Sequence, residues 1–239
     1  MKNITNPVYL ELKKMKIIND KNIIKISNKT RDKNISVYKD LISSVIFLEK
    51  YQTGGSYYSK IKYGNSPKGK KATTQLSKKE NLETAIINDD MRRSLQFKKL
   101  VKNKSVLDFG CGWGMFLKNI KDSASNLSGV ERREECIQFI KKSSNKINIH
   151  SDLISIKEKF DVITSFHVLE HVPNQVETIV QLKKRLKSRG KLIIEVPHAK
   201  DFLLEFENLK EFKKFTFWSE HLLLHTEHSL KKVLEKAGF

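Results

Sequence analysis

Short apolar runs dominate the first fifty residues of this chain. Val8–Leu12, Ile23–Ile26, Ile35–Tyr38 and Val45–Leu48 are rich in β-branched and aromatic side chains, and polar turns such as Asn19-Asp20 and Arg31–Asn34 separate them. That pattern predicts strands joined as hairpins. Gly54-Gly55 and the run GNSPKGKK at 64–71 predict a flexible loop. Ser77-Lys-Lys-Glu80 has the form of a capping box, so a helix is expected to follow, to about Lys102. From Ser105 onward the rhythm changes. SVLDFG, LSGVE, INIHS, FDVITSF and KLIIEVP are apolar runs separated by stretches of helical periodicity. Such alternation predicts βαβ units and a mostly parallel sheet with helices on both faces. Pro173 suits an early helical position and Gly190 a helix end, while Thr226 and Gly238 suit the cap and the end of a last helix. The expected organisation is a β-rich subdomain at 1–55, a flexible loop at 56–76 and an α/β domain at 77–239.

Composition narrows the class. The chain has 239 residues, 38% hydrophobic and 31% charged, which suits a globular fold. No apolar run approaches the roughly 18 residues of a membrane span. The first residues carry no apolar secretory segment, so a cytoplasmic protein is expected. Cys111 and Cys136 are too few for a disulfide framework or a four-cysteine zinc site. The net charge of +19 allows an anionic partner. The lysines are dispersed, however, and Asn and Ile are heavily used as well. A compositional origin is therefore favoured over nucleic-acid binding, and an anionic small molecule fits either reading.

The candidate chemistry lies in Val106–Leu117, where a buried strand ends in Asp108 and Gly110, Gly112 and Gly114 follow at alternate positions before a helix opens. Glycines permit a sharp turn and close approach of a ligand to the backbone. A second acid, Glu131, ends the next strand about 20 residues on, a spacing suited to holding a ribose. The run DFGCGWG resembles the first motif, D-x-G-x-G-x-G, of class I S-adenosylmethionine-dependent methyltransferases. FDVITSFHVLEHVP (160–173) resembles the fourth-strand motif of their small-molecule branch, and RGKLIIEVPH (189–198) the strand after it. The likeness covers roughly residues 90–239.

The resemblance implies a Rossmann-like, doubly wound parallel sheet and S-adenosylmethionine as cofactor. It implies cofactor contacts at Asp108, Gly110, Cys111, Gly112, Gly114, Glu131, Arg132, Asp152, Leu153 and Phe166. Glu131 would hold the ribose hydroxyls and Asp152 would meet the adenine amino group. The family sheet has two further strands after its final helix. Only five core strands are counted here, so those C-terminal strands are expected to be missing. Trp218–Phe239 resembles the tail of methyltransferases of sugar and surface-glycan pathways, which implies a sugar or nucleotide-sugar acceptor. Tyr57-Tyr58 matches an aromatic pair that covers the cofactor in relatives, with ordinary packing the preferred reading.

Methyl transfer needs an aligned nucleophile and often a base, and histidine suits that work near neutral pH. His167 and His198 directly follow strands and are the catalytic candidates. His221-Leu-Leu-Leu-His225 would place two imidazoles on one helix face, but a third ligand and an HExxH glutamate are missing, so no metal is expected. Arg92 and Arg93, on the helix before the first strand of the α/β domain, could meet the cofactor carboxylate, with a solvated helix face the preferred reading. Two alternatives remain: an RNA methyltransferase, and a cofactor-binding domain with little catalysis.

Overall fold

The alternation of apolar and amphipathic stretches after Ser105 becomes a parallel sheet in the computed structural model, which describes residues 4–51, 82–205, 212–213 and 216–239. The expected loop at 56–76, the capping box at Ser77–Glu80 and the Tyr57-Tyr58 pair lie outside the described residues. In chain order the main elements are α1 (Pro7–Lys14), β1 (Ile23–Ser27), β2 (Val37–Asp40), β3 (Ile46–Leu48), α2 (Leu82–Val101), β4 (Ser105–Phe109), α3 (Met115–Asn119), β5 (Asn126–Val130), α4 (Glu134–Ser143), β6 (Ile147–His150), β7 (Phe160–Phe166), α5 (Gln175–Lys184), β8 (Leu186–Glu195), α6 (Phe202–Glu205), β9 (Leu223–Leu224) and α7 (Glu227–Lys236). They form two compact units. One comprises Met1–Gly54, His167–Lys183 and Ile194–Phe239; the other comprises Gly55–Phe166 and Lys184–Ile193.

The second of these units holds the parallel sheet, with strand order β6-β5-β4-β7-β8. β4 pairs in parallel with β5 on one side and with β7 on the other. Strand order therefore reverses beside β4, and the carboxyl end of β4 is the switch point where this class of sheet binds ligands. Val106, Leu117, Ile120, Leu127, Ile140 and Val162 form its core. A polar clamp fixes the opposite end of the sheet. The backbone N–H and the hydroxyl of Ser105 donate to Asp161 Oδ2 at 2.9 and 2.7 Å, and Lys187 Nζ meets the same oxygen at 2.9 Å. These bonds hold the Asp161 carboxyl well below the usual range, Lys187 contributing most. The helix before β8 stops at Lys184, and Gly190 lies inside β8 rather than ending a helix. The polar run after Arg185 is drawn into the sheet, where Phe160 N–H donates to the Arg185 carbonyl at 2.7 Å.

The other unit is built on an antiparallel sheet of order β1-β2-β3-β9. Its first element corrects the reading of Val8–Leu12 as a strand. That stretch is helical, because Asn6 caps it by accepting from the Val8 N–H and Pro7 occupies the first turn. Val8, Tyr9 and Leu12 then share the buried face. Asn6 is itself fully buried and donates through Nδ2 to the carbonyls of Leu48 and Leu222, at 2.9 and 2.7 Å. The His221–His225 segment is corrected too. It is extended rather than helical, since Leu223 and Leu224 pair with Phe47 and Ile46. α7 follows as expected, with Thr226 accepting from the Ser229 N–H and Gly238 turning out at φ +93°.

Candidate functional site

The turn after β4 is shaped by three left-handed glycines, Gly110, Gly112 and Gly114, at φ +78°, +54° and +70°. Side chains rarely tolerate that conformation, so the glycine spacing seen in the sequence is a backbone requirement. The turn is tied to the end of β5. The Gly110 and Cys111 N–H groups donate to the Val130 carbonyl at 2.8 and 3.0 Å, and the Gly112 N–H donates to Glu131 Oε2 at 2.9 Å. Glu131 Oε1 accepts from the N–H groups of Arg132 and Arg133 at 2.8 and 2.9 Å. The Arg133 guanidinium adds longer contacts to both carboxylate oxygens, at 3.3 and 3.4 Å. Glu131 is buried and fixed in one orientation by backbone donors, and the Arg133 guanidinium reaches it through the longer pair.

Asp108 is buried at the end of β4 and accepts from Thr164 Oγ1 at 2.7 Å. Burial pushes its carboxyl up to about 7, against the opposing pull of Thr164 and Arg93. Beside it lies an open cleft of about 200 Å³, lined by residues that include Asp90, Arg93, Asp108, Gly112, Arg133 and Phe166. Arg93 is buried, pairs with Asp90 at 3.2 Å and sits 5.0 Å from the centre of the Phe166 ring. This corrects the expectation of a solvated face: Arg93 lines the cleft, whereas Arg92 is half-exposed and meets Asp89 at 3.4 Å.

Of the expected cofactor residues, Asp108, Gly110, Cys111, Gly112 and Phe166 line the cleft. Gly114 shapes the turn, Glu131 closes on it, and Arg132 offers its N–H to Glu131. Leu153 is buried, while Asp152 is exposed and accepts from the Ser155 N–H at 2.8 Å, which holds its carboxyl low. Asp90, Trp113, Met115 and Arg133 line the cleft without having been expected there, and Arg93 lines it against the preferred reading of its sequence. The Trp113 and Met115 positions alternate with the glycines, so the turn geometry itself pointed to them.

A family model described as a methyltransferase domain matches residues 83–239. The chain belongs to the class I S-adenosylmethionine-dependent methyltransferases. S-adenosylmethionine is the methyl donor of that family. Among relatives, a ubiquinone biosynthesis O-methyltransferase of Glaesserella parasuis is 32% identical over 116 residues, 42% of this chain and 49% of the relative. An uncharacterised protein of Methanocaldococcus jannaschii is 34% identical over 125 residues, 51% of this chain and 54% of that protein. The chain thus spans about half the length of the curated relatives it matches. A plantazolicin methyltransferase, solved with a triazolic desmethylPZN analog and SAH, superposes with a TM-score of 0.50 at 20% identity, covering 64% of this chain and 60% of that one. That likeness places this methyltransferase in the same fold. Among the described residues no helix is long and apolar enough to cross a membrane.

Both catalytic candidates, His167 and His198, lie in the unit that carries the antiparallel sheet, as do His171, His221 and His225. His167, at φ +54°, has Nδ1 3.3 Å from Glu170 Oε1 and Nε2 3.3 Å from Glu195 Oε1. Both ring nitrogens are therefore engaged by carboxylates, and a base at this position has to release one of them. His198 is exposed, and its Nδ1 accepts from the Lys200 N–H at 3.2 Å. His225 is a core residue, bonded to Gln175 Oε1 at 2.9 Å and Ser229 Oγ at 3.0 Å. Burial pushes His221 and His225 down to about 4. Glu170 is fully buried; burial works to raise its pKa, but the His167 hydrogen bond and the neighbouring His171 and His221 outweigh it and keep the carboxyl low.

Proposed function

We propose that this methyltransferase moves the methyl group of S-adenosylmethionine to an oxygen of a small-molecule acceptor. The observation that carries this reading is the latch between Glu131 and the glycine turn through the Gly112 N–H. It sets a rigid carboxylate beside a backbone stripped of side chains, which suits a ribose and an amino-acid tail. In this reading Asp108 and the turn hold the methionine end, and Phe166 and Arg93 wall the cleft. Glu131 holds the ribose by accepting from its hydroxyls, which requires the long Arg133 contacts to give way. Asp152 and Leu153 serve the adenine. The sulfonium supplies an electrophilic methyl group; the protein supplies position, and His167 or His198 takes the acceptor proton.

The choice of oxygen follows the curated relatives, several of which are named O-methyltransferases. A sugar or nucleotide-sugar acceptor is the finer reading, and it rests on the Trp218–Phe239 resemblance. The test is transfer of an isotope-labelled methyl group from S-adenosylmethionine to a panel of catechols, phenols and nucleotide sugars. Labelled O-methyl product with the intact chain, lost in Glu131→Ala, is expected. Label appearing on nitrogen or carbon, or equal turnover in Glu131→Ala, overturns the reading.

A further inference from the structure

Three groups that act as electron-pair donors converge in the unit carrying the antiparallel sheet. Glu170, His171 and His221 each offer a ligand atom within 4.8 Å of the others, the one such cluster of histidine, cysteine and acidic residues among the described residues. Glu170 and His171 sit on the single turn of 3-10 helix at Leu169–His171 that follows β7, and His221 precedes β9. The two segments are joined by the Leu222 N–H, which donates to the Glu170 carbonyl at 2.8 Å.

The hydrogen bonds fix how the two rings face. His171 Nδ1 lies 3.0 Å from the Glu220 carbonyl and His221 Nδ1 lies 2.9 Å from the Thr216 carbonyl. A carbonyl only accepts, so each Nδ1 carries its proton and the lone pair of each neutral ring sits on Nε2. His171 Nε2 is 3.9 Å from Glu170 Oε1. Glu170 is fully buried, and its Oε2 has no hydrogen-bond partner. A buried carboxylate oxygen without a partner, beside imidazoles whose lone pairs are turned away from their backbone anchors, is costly unless a cation sits among them. Metal-bound histidines are oriented in this way, with the second ring nitrogen donating to a backbone carbonyl. His167, at 3.3 Å from Glu170 Oε1, and the edge-on ring of Trp218, 5.4 Å from His221, brace the same groups.

We propose that Glu170, His171 and His221 bind one divalent transition-metal ion. Two imidazoles and one carboxylate suit Zn²⁺, Mn²⁺ or Fe²⁺ over the all-oxygen preference of Ca²⁺ and Mg²⁺. Three protein ligands leave at least one coordination position for an oxygen donor, water or a hydroxyl compound. Modest side-chain movement brings the donors to the roughly 2.0–2.2 Å that Zn²⁺ requires. The pair His221 and His225 singled out by sequence spacing is not this site, since both His225 nitrogens are bonded within the core.

The test is stripping the intact chain with a chelator and titrating it with Zn²⁺, Mn²⁺ and Mg²⁺ by calorimetry, and with Co²⁺ followed by visible absorption. One equivalent of Zn²⁺ or Mn²⁺ is expected, with Mg²⁺ much weaker and a Co²⁺ spectrum of mixed nitrogen and oxygen ligands. Glu170→Gln and His221→Ala should each weaken Zn²⁺ binding by about 10-fold or more, with His228→Ala, an exposed residue, unchanged. Absence of stoichiometric binding by the intact chain overturns the proposal, whether or not the variants fold. So does Zn²⁺ binding that survives in a folded Glu170→Gln chain, or a Co²⁺ spectrum without nitrogen ligands. None of these readouts depends on methyl transfer.

Discussion

Asp108 shows how one residue couples the cleft to pH. Its carboxyl is raised to about 7 chiefly by burial, against an ordinary value of 3.8. Between those values the folded chain holds a proton that the unfolded chain has released, so this group's contribution to stability falls as pH rises from about 4 to 7. A cationic cofactor beside Asp108 favours the anion. Binding of S-adenosylmethionine should then release a proton below pH 7, and affinity should fall by up to about tenfold per pH unit as the medium is acidified. Isothermal titration at pH 5.5, 6.5 and 7.5 measures this; Asp108→Asn should flatten the dependence, and an equally steep slope in that variant contradicts the assignment. The glycines and both acids of this region were legible because backbone conformation and charge at strand ends leave a mark in one dimension. Arg93 was not, because an arginine on an amphipathic helix reads as solvated until the aromatic ring that covers it is known.

At the scale of elements, the parallel strands were readable from apolar runs bounded by turn residues. α1 was not, because Val8–Leu12 is too short for its period to separate strand from helix. The deciding signal was the Asn6-Pro7 cap. β9 is only two residues long, and its partner β3 lies far earlier in the chain, so nothing local announced it. The clamp at the start of β4 is the element-level feature with a measurable consequence. Asp161 is held low by Lys187 and Ser105, so its stabilising contribution is present above the ordinary carboxylate range and is lost as pH falls below it. Asp161 is partly exposed, which limits the effect. Asp161→Asn should cost about 1–2 kcal/mol at pH 7 by chemical denaturation, and the difference from wild type should shrink by pH 3. A constant difference across that range contradicts the clamp.

At the scale of the whole molecule, the N-terminal strands and the C-terminal segment share a sheet, and each compact unit is assembled from separated stretches of chain. A linear reading finds domain boundaries where composition shifts, and pairing across nearly two hundred residues leaves no such shift. Separation along the chain also hid the Glu170, His171 and His221 cluster, in which His221 lies 50 residues beyond His171 and no ligand-spacing pattern links them. The glycine turn and Glu131, by contrast, are visible in the linear sequence, and the proposed cofactor site is built on them. Calorimetric titration of S-adenosylmethionine into the intact chain and into Glu131→Ala tests that site. One binding site is expected in the intact chain, with an affinity at least about tenfold weaker in the variant. Equal binding by both, or none by the intact chain, would contradict it.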